Sequence, residues 1–181
     1  MLQLNDMQEN RTRSPITIRH YQERDLQSCR ALWVELTEWH RHIYQSPGIG
    51  GPDPGLHFDE HLERVGSENI WVAETGGHVV GLAGLIPGEE DSELEPLVVS
   101  QAYRGRRIGR QLAEAVIAAA RIRGVNQLMV RPVARNKDAI RFYHELGFNI
   151  LGQIEQFMDF GPADRQVWKP GERIAGRDFK V

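Results

Sequence analysis

Three apolar runs between residues 70 and 99 restrict the fold of this chain more than any other part of the sequence. They cover residues 70–74, 78–86 and 93–99 and are separated by short polar breaks. Gly76-Gly77 lies between the first two runs, and glycines readily adopt the positive φ angles that a two-residue hairpin turn requires. The pattern therefore predicts an antiparallel meander of three strands.

Helix-like and strand-like segments alternate around this meander. Apolar residues recur at helical spacing over residues 25–43, 56–65 and 108–123, and Gly124 is a suitable C-terminal cap. Residues 16–20 and 127–130 resemble strands, Asn136 is a good N-cap for a helix that stops at Gly147, and residues 148–160 resemble one or two closing strands. This order predicts an α+β fold, with a mixed, mostly antiparallel central sheet flanked by helices.

Length and charge narrow the class of protein. A chain of 181 residues fits one domain, which we place at residues 16–160, after a polar tail (1–15) and before an extension without an assigned role (161–181). With 22 Lys and Arg against 25 Asp and Glu, the net charge of -3 argues against a general nucleic-acid or membrane-surface binder. The lone Cys29 and the absence of a long apolar stretch predict a cytoplasmic protein without disulfides.

A basic, glycine-containing loop follows the third strand and leads into a helix. It reads Ser100-Gln101-Ala102-Tyr103-Arg104-Gly105-Arg106-Arg107-Ile108-Gly109-Arg110. Free backbone N–H groups and the positive end of the helix dipole meet here, and the arginines add charge, so the loop suits an anion such as a phosphate. The alternative is a solvated basic turn.

Pro96 lies inside the strand that precedes this loop. Proline donates no backbone hydrogen bond, so its position predicts an interrupted or bulged ladder. The backbone groups of Leu97 and Val99 would then be free to pair with an extended, amide-containing ligand. The alternative is a plain edge strand.

Two segments resemble the GNAT superfamily of N-acyltransferases. The loop resembles the family's Arg/Gln-x-x-Gly-x-Gly/Ala signature, and residues 136–148, Asn-Lys-Asp-Ala-Ile-Arg-Phe-Tyr-His-Glu-Leu-Gly-Phe, resemble its Asn-x-x-Ala-x-x-Phe-Tyr-x-x-Leu-Gly-Phe helix. The resemblance implies strands splayed at an acyl-CoA site and acetyl-CoA as cosubstrate. The implied cofactor-binding residues are Leu97, Val98, Val99, Arg104, Gly105, Arg106, Arg107, Ile108, Gly109, Arg110 and Asn136. Arg107 departs from the signature, which has its first glycine there.

The resemblance also implies transfer of an acetyl group to a primary amine by direct attack in a ternary complex. A glutamate at the position of Glu93 serves as the general base in similar enzymes, and Glu95 could share this role or hold a cationic substrate. Tyr143 matches the tyrosine that protonates the leaving thiolate. A strand amide near Val98 or Val99 is the natural oxyanion donor.

Other interpretations stay open at this stage. The chain could be a non-catalytic acyl-CoA-binding sensor, because Arg107 stands where the signature has its first glycine. Separately, His57-x-x-Glu60-His61 matches a zinc-peptidase motif. We expect no metal site, no nucleic-acid partner and no membrane partner.

We expect the acceptor to be a small-molecule or peptide amine, with its site bordered by the first helix and residues 45–55. A homodimer is left open.

Overall fold

The computed structural model describes residues 14–160 and 168–181 of the chain. Its helices and strands are β1 (Thr17–His20), α1 (Leu26–Tyr44), α2 (Leu56–Val65), β2 (Ile70–Thr75), β3 (His78–Ile86), β4 (Asp91–Val99), α3 (Ile108–Arg123), β5 (Gln127–Met129), α4 (Lys137–Glu145), β6 (Pro170–Ile174) and β7 (Arg177–Lys180). Short 3-10 turns occupy Glu23–Asp25, Ser67–Asn69 and Gln101–Tyr103. None of the helices in the described ranges is both long and apolar enough to cross a membrane.

One central sheet has the strand order β1-β2-β3-β4-β5. The first four strands pair antiparallel, and β5 pairs parallel to β4. The turn between β2 and β3 places Gly76 at φ 58° and Gly77 at φ 78°, the left-handed conformations that only glycine adopts without penalty. The prediction of a mixed, mostly antiparallel sheet is therefore confirmed.

Apolar side chains cover both faces of this sheet. The cluster on the α3 face contains Trp71, Ala73, Val80, Ala83, Leu85, Leu94, Ile108, Leu112, Ala113, Val116 and Ala120. The cluster on the face of α1 and α2 contains Tyr21, Cys29, Leu32, Phe58, Val65, Ile70, Val72, Leu82 and Val98. The sheet is thus held between helices on both sides, as the alternation of segments predicts.

A bulge interrupts β4 at Pro96. Ala83 faces Leu97 and Leu85 faces Leu94, so two steps on β3 correspond to three steps on β4. The extra residue lies opposite Gly84, as a proline within a ladder predicts. A Cβ at Gly84 would lie 2.5 Å from the Glu95 carbonyl oxygen and 2.9 Å from His61 Nε2.

We expect Gly84→Ala to destabilise the protein by about 1–3 kcal/mol, because the clash involves backbone that cannot rotate away. Urea unfolding measures the free energy. Gly48→Ala is the matched control, since nothing lies within 4 Å of a Cβ there. Equal stability of the two variants would contradict this account of the bulge.

The strands β4 and β5 pair only over a short stretch. Asp91, Ser92 and Glu93 face Gln127, Leu128 and Met129, and β5 ends there. Beyond Glu93, the edge of β4 that faces away from β3 has no neighbouring strand within the described residues. This gap is the splay that the resemblance implies.

The predicted closing strands over residues 148–160 are wrong. These residues form no regular secondary structure, and six large apolar side chains among them are exposed: Ile150, Leu151, Ile154, Phe157, Met158 and Phe160. A strand-like pattern becomes a strand only when a neighbouring strand completes its ladder, and β5 is only three residues long.

The C-terminal part contains a hairpin that the sequence pattern did not reveal. The strands β6 and β7 pair antiparallel around Ala175-Gly176, both at positive φ. An Ala-Gly pair between Ile174 and Arg177 is a weak turn signal. Residues 1–13 of the predicted polar tail lie outside the described residues, and the domain boundaries stay predictions.

Candidate functional site

The outer edge of β4 carries backbone groups without a strand partner, within the described residues, at its C-terminal end. The Ser100 N–H donates to the Val80 carbonyl at 2.9 Å, so the backbone of Ser100 faces β3. Because these groups alternate along a strand, those of Leu97 and Val99 face the gap beside β5. The Val99 carbonyl there accepts a hydrogen bond from Arg104 Nε at 3.1 Å. An extended chain with amide groups could pair with this edge.

Val98 differs from its two neighbours. The same alternation directs its N–H toward Leu82 on β3, and its side chain is buried in the cluster beside α1. Of the two amides predicted as oxyanion donors, Val99 is therefore the one that faces the gap.

The basic loop turns through a left-handed residue into α3. Arg107 has φ 62° and ψ 13°, so it adopts the backbone conformation that the signature reaches with glycine. Gly105 also has a positive φ, and the buried Ile108 anchors the start of α3 in the core. The N–H groups of Ile108, Gly109 and Arg110 have no intrahelical acceptor, because they lie in the first turn. The departure from the family signature thus leaves the amide cluster intact.

Arg107→Gly should raise the free energy of unfolding by about 1 kcal/mol, because a left-handed backbone penalises residues with a Cβ. Denaturant unfolding checks this. The matched control is Arg121→Gly on α3, where the backbone is helical and glycine should lower stability. A loss of stability in both variants would contradict the expectation.

The arginines of the loop point in different directions. Arg106 stacks over the Tyr103 ring at 5.6 Å, and its Nη1 is buried without a hydrogen-bond partner among the described residues. Arg104 instead lies over Trp39 of α1, 5.6 Å from the ring centroid. Arg110 is 3.6 Å from a glutamate one turn later on α3. Of these three side chains, Arg106 therefore has a guanidinium nitrogen left to donate to an anion.

The carboxylates of Glu93 and Glu95 have different surroundings. Glu93 is buried beside β5 and forms an ion pair with Arg131, which follows that strand. Glu95 is exposed next to the bulge. Sequence reasoning missed Arg131, although a parallel pairing of β4 and β5 would have brought it near Glu93.

Tyr143 lies on α4, half-buried between aromatic rings. It makes edge-on contacts with Phe142 and Phe148, with ring centroids 5.3 and 5.8 Å away. Burial, together with the nearby charge of Glu95, raises the pKa of Tyr143 to about 12. The phenol therefore stays protonated at neutral pH and can act as a proton donor, with Glu95 as the nearby carboxylate.

Asn136 caps α4, as predicted. Its Oδ1 accepts a hydrogen bond from the Ala139 N–H at 3.1 Å. Its side-chain NH₂ group is the donor that a ligand could use. The residue also lines a cavity of about 510 Å³ between the end of α1, the start of α4 and the C-terminal hairpin.

The two histidines of the zinc-like motif serve separate contacts. His57 Nδ1 lies 3.0 Å from Glu60, and its Nε2 lies 3.2 Å from the Gly50 carbonyl. His61 is buried, and burial together with the charge of Arg64 lowers its pKa to about 4. Within residues 14–160 and 168–181, no group of three or more His, Cys, Asp or Glu side chains could hold a metal ion.

The chain matches the model of the Acetyltransferase (GNAT) family over residues 33–148. This range contains β4, the basic loop, α3 and α4. Among curated proteins, N-acetyltransferase 8 of Rattus norvegicus is 34% identical over 96 residues, which cover 50% of this chain and 42% of that protein. The probable N-acetyltransferase camello of Xenopus tropicalis is 39% identical over 87 residues, which cover 45% of this chain and 40% of that protein.

These alignments span less than half the length of either relative. A solved aminoglycoside N-acetyltransferase in complex with CoA covers 82% of this chain and 97% of its own, with a TM-score of 0.61 and 18% identity. At that identity, the likeness shows the fold alone.

Proposed function

This chain belongs to the Acetyltransferase (GNAT) family, and we propose that it transfers an acetyl group from acetyl-CoA to a primary amine by direct attack. The observation that best supports this is the arrangement of β4. Its open edge lies beside the pair Glu95 and Tyr143, and a Cβ at Gly109, at the start of α3, would lie 3.7 Å from the Val99 side chain. Cys29 is not placed to form an acyl-enzyme, because its side chain is fully buried and burial raises the pKa of its thiol to about 12.

The residues around the gap fit acyl-CoA. The unpartnered, buried Nη1 of Arg106 and the free N–H groups of α3 suit the pyrophosphate. The outward groups of Leu97 and Val99 suit the amides of the pantetheine arm, and the Asn136 amide can donate beside it. Arg104 must release the Val99 carbonyl when that arm pairs there.

Acyl-CoA supplies a thioester carbonyl to which the amine nitrogen bonds while the carbon–sulfur bond breaks. Glu95 accepts the proton that the amine loses, because it is exposed at the bulge and close enough to Tyr143 to raise the pKa of the phenol. We assign Glu93 to a supporting role, since Arg131 already neutralises it.

Tyr143 protonates the leaving thiolate. The transfer is uphill, from a phenol whose pKa is raised to about 12 to a thiolate whose thiol has an ordinary pKa of about 8.5, and it is completed when Glu95 returns a proton to the phenol through solvent. The N–H of Val99 is the donor placed to stabilise the developing oxyanion.

A turnover assay tests the proposal. Acetyl-CoA is incubated with a panel of primary amines, and released CoA and acetylated product are both measured. The panel holds an amino acid, a polyamine, an aminoglycoside and a peptide with a free N-terminus. Product with any of them supports transfer, whereas tight binding of acetyl-CoA without product would favour a non-catalytic binding module. Absence of binding would reject both.

A further inference from the structure

The carboxylate of Glu35, on α1, binds the first residues after β4. The Ser100 hydroxyl donates to Glu35 Oε1 at 2.9 Å, and the Gln101 N–H donates to Oε2 at 3.0 Å. Both oxygens of one side chain therefore hold consecutive residues that lie 65 and 66 positions away in the chain. Hydrogen bonds to a charged group are stronger than those between neutral groups.

A second contact holds the other end of the same short turn. Trp39 lies one helical turn after Glu35 on α1, and the guanidinium of Arg104 stacks over its ring in a cation–π contact. Arg104 also donates to the Val99 carbonyl. The segment from Ser100 to Arg104 is thus fixed to one face of α1 at both ends.

This segment sets the direction in which the chain leaves β4. Only Gly105, Arg106 and Arg107 separate it from the amide groups at the start of α3. A rotation of the Gln101–Tyr103 turn would displace the loop and the guanidinium of Arg106 relative to the edge of β4.

We propose that Glu35 is a positioning residue for acyl-CoA, an inference that rests on the function proposed above. The hydrogen bonds of Glu35 go to Ser100 and Gln101, which are not among the candidate cofactor-binding residues. It fixes the relation between the β4 edge, which suits pantetheine, and the loop, which suits the pyrophosphate. Because binding of a two-part ligand depends on both subsites being in register, loss of Glu35 weakens acetyl-CoA binding.

Three variants test this role. Glu35→Ala removes both hydrogen bonds and should raise the Kd and the KM for acetyl-CoA about tenfold, with kcat at saturating acetyl-CoA changed less than about twofold. Glu35→Gln keeps one acceptor oxygen and should restore part of the affinity, to within about threefold of wild type. Glu63→Gln on α2 is the control, because it makes the same charge change at an exposed glutamate and should leave the Kd unchanged.

Calorimetric titration with acetyl-CoA gives Kd, and thermal unfolding of the unliganded protein gives Tm. A purely structural role would lower Tm while the folded fraction bound acetyl-CoA with unchanged Kd, and that result would overturn the inference. Ser100→Ala should weaken binding about threefold in wild type and have little further effect in Glu35→Ala. If wild type and all variants bind acetyl-CoA equally well, the role of Glu35 is rejected and the proposed function stands. If wild type does not bind acetyl-CoA, the proposed function is rejected, and the role of Glu35 is rejected with it.

Discussion

Replacing Tyr143 with phenylalanine should lower kcat by roughly 10²- to 10³-fold, because the leaving thiolate loses its proton donor. The ring and its edge-on contacts with Phe142 and Phe148 remain. The Kd for acetyl-CoA should therefore stay within about twofold of wild type. Steady-state kinetics and calorimetric binding of the same preparation measure both quantities.

The pH profile gives this prediction a second check. The pKa of Tyr143 lies near 12, so the phenol remains protonated up to about pH 10, and wild-type kcat should show no alkaline loss from this residue. Tyr44→Phe is the matched control, because Tyr44 stacks with Arg135 at the end of α1, and its hydroxyl has no part in the proposed mechanism. A Tyr143→Phe enzyme with normal kcat would remove Tyr143 from the mechanism.

Glu95→Gln should lower kcat by roughly 10²-fold, since the amide cannot accept the proton of the amine. The variant should also lower the pKa of Tyr143 toward its ordinary value, because the negative charge of Glu95 contributes to raising it. Spectrophotometric titration of the tyrosines measures this change. Subtracting the titration curve of Glu95→Gln/Tyr143→Phe from that of Glu95→Gln leaves the curve of Tyr143 alone.

Glu93→Gln is the matched comparison. It makes the same chemical change two residues earlier on β4, but at a carboxylate paired with Arg131. We expect a smaller loss of kcat there than in Glu95→Gln. The reverse order of the two losses would assign the base to Glu93, the residue that the sequence resemblance implies.

Local patterns predicted most of the framework. Gly76-Gly77 specified a hairpin, Pro96 specified a bulge, and Asn136 specified a cap, because each of these residues restricts its own backbone or binds within four residues. The helices over 56–65 and 108–123 begin and end where their apolar spacing and flanking glycines indicate.

Contacts between distant segments could not be predicted in the same way. Nothing in the pattern around Glu35 indicates that it meets Ser100, and Arg131 reaches Glu93 only because β5 is parallel to β4. The sequence likewise marked Arg107 as a departure without revealing that its backbone is left-handed. The strands expected at 148–160 failed for a related reason, since a strand depends on a partner as much as on its own residues.

The burial of Cys29 has a practical consequence for measuring the reaction. It is the only cysteine of the chain, it is fully buried, and its pKa is raised to about 12, so the folded protein presents no reactive thiolate. A thiol-reactive dye added during turnover therefore reads the sulfhydryl of released CoA without background from the protein. In denaturant, the same dye should label one site per chain, which counts the protein molecules in the sample.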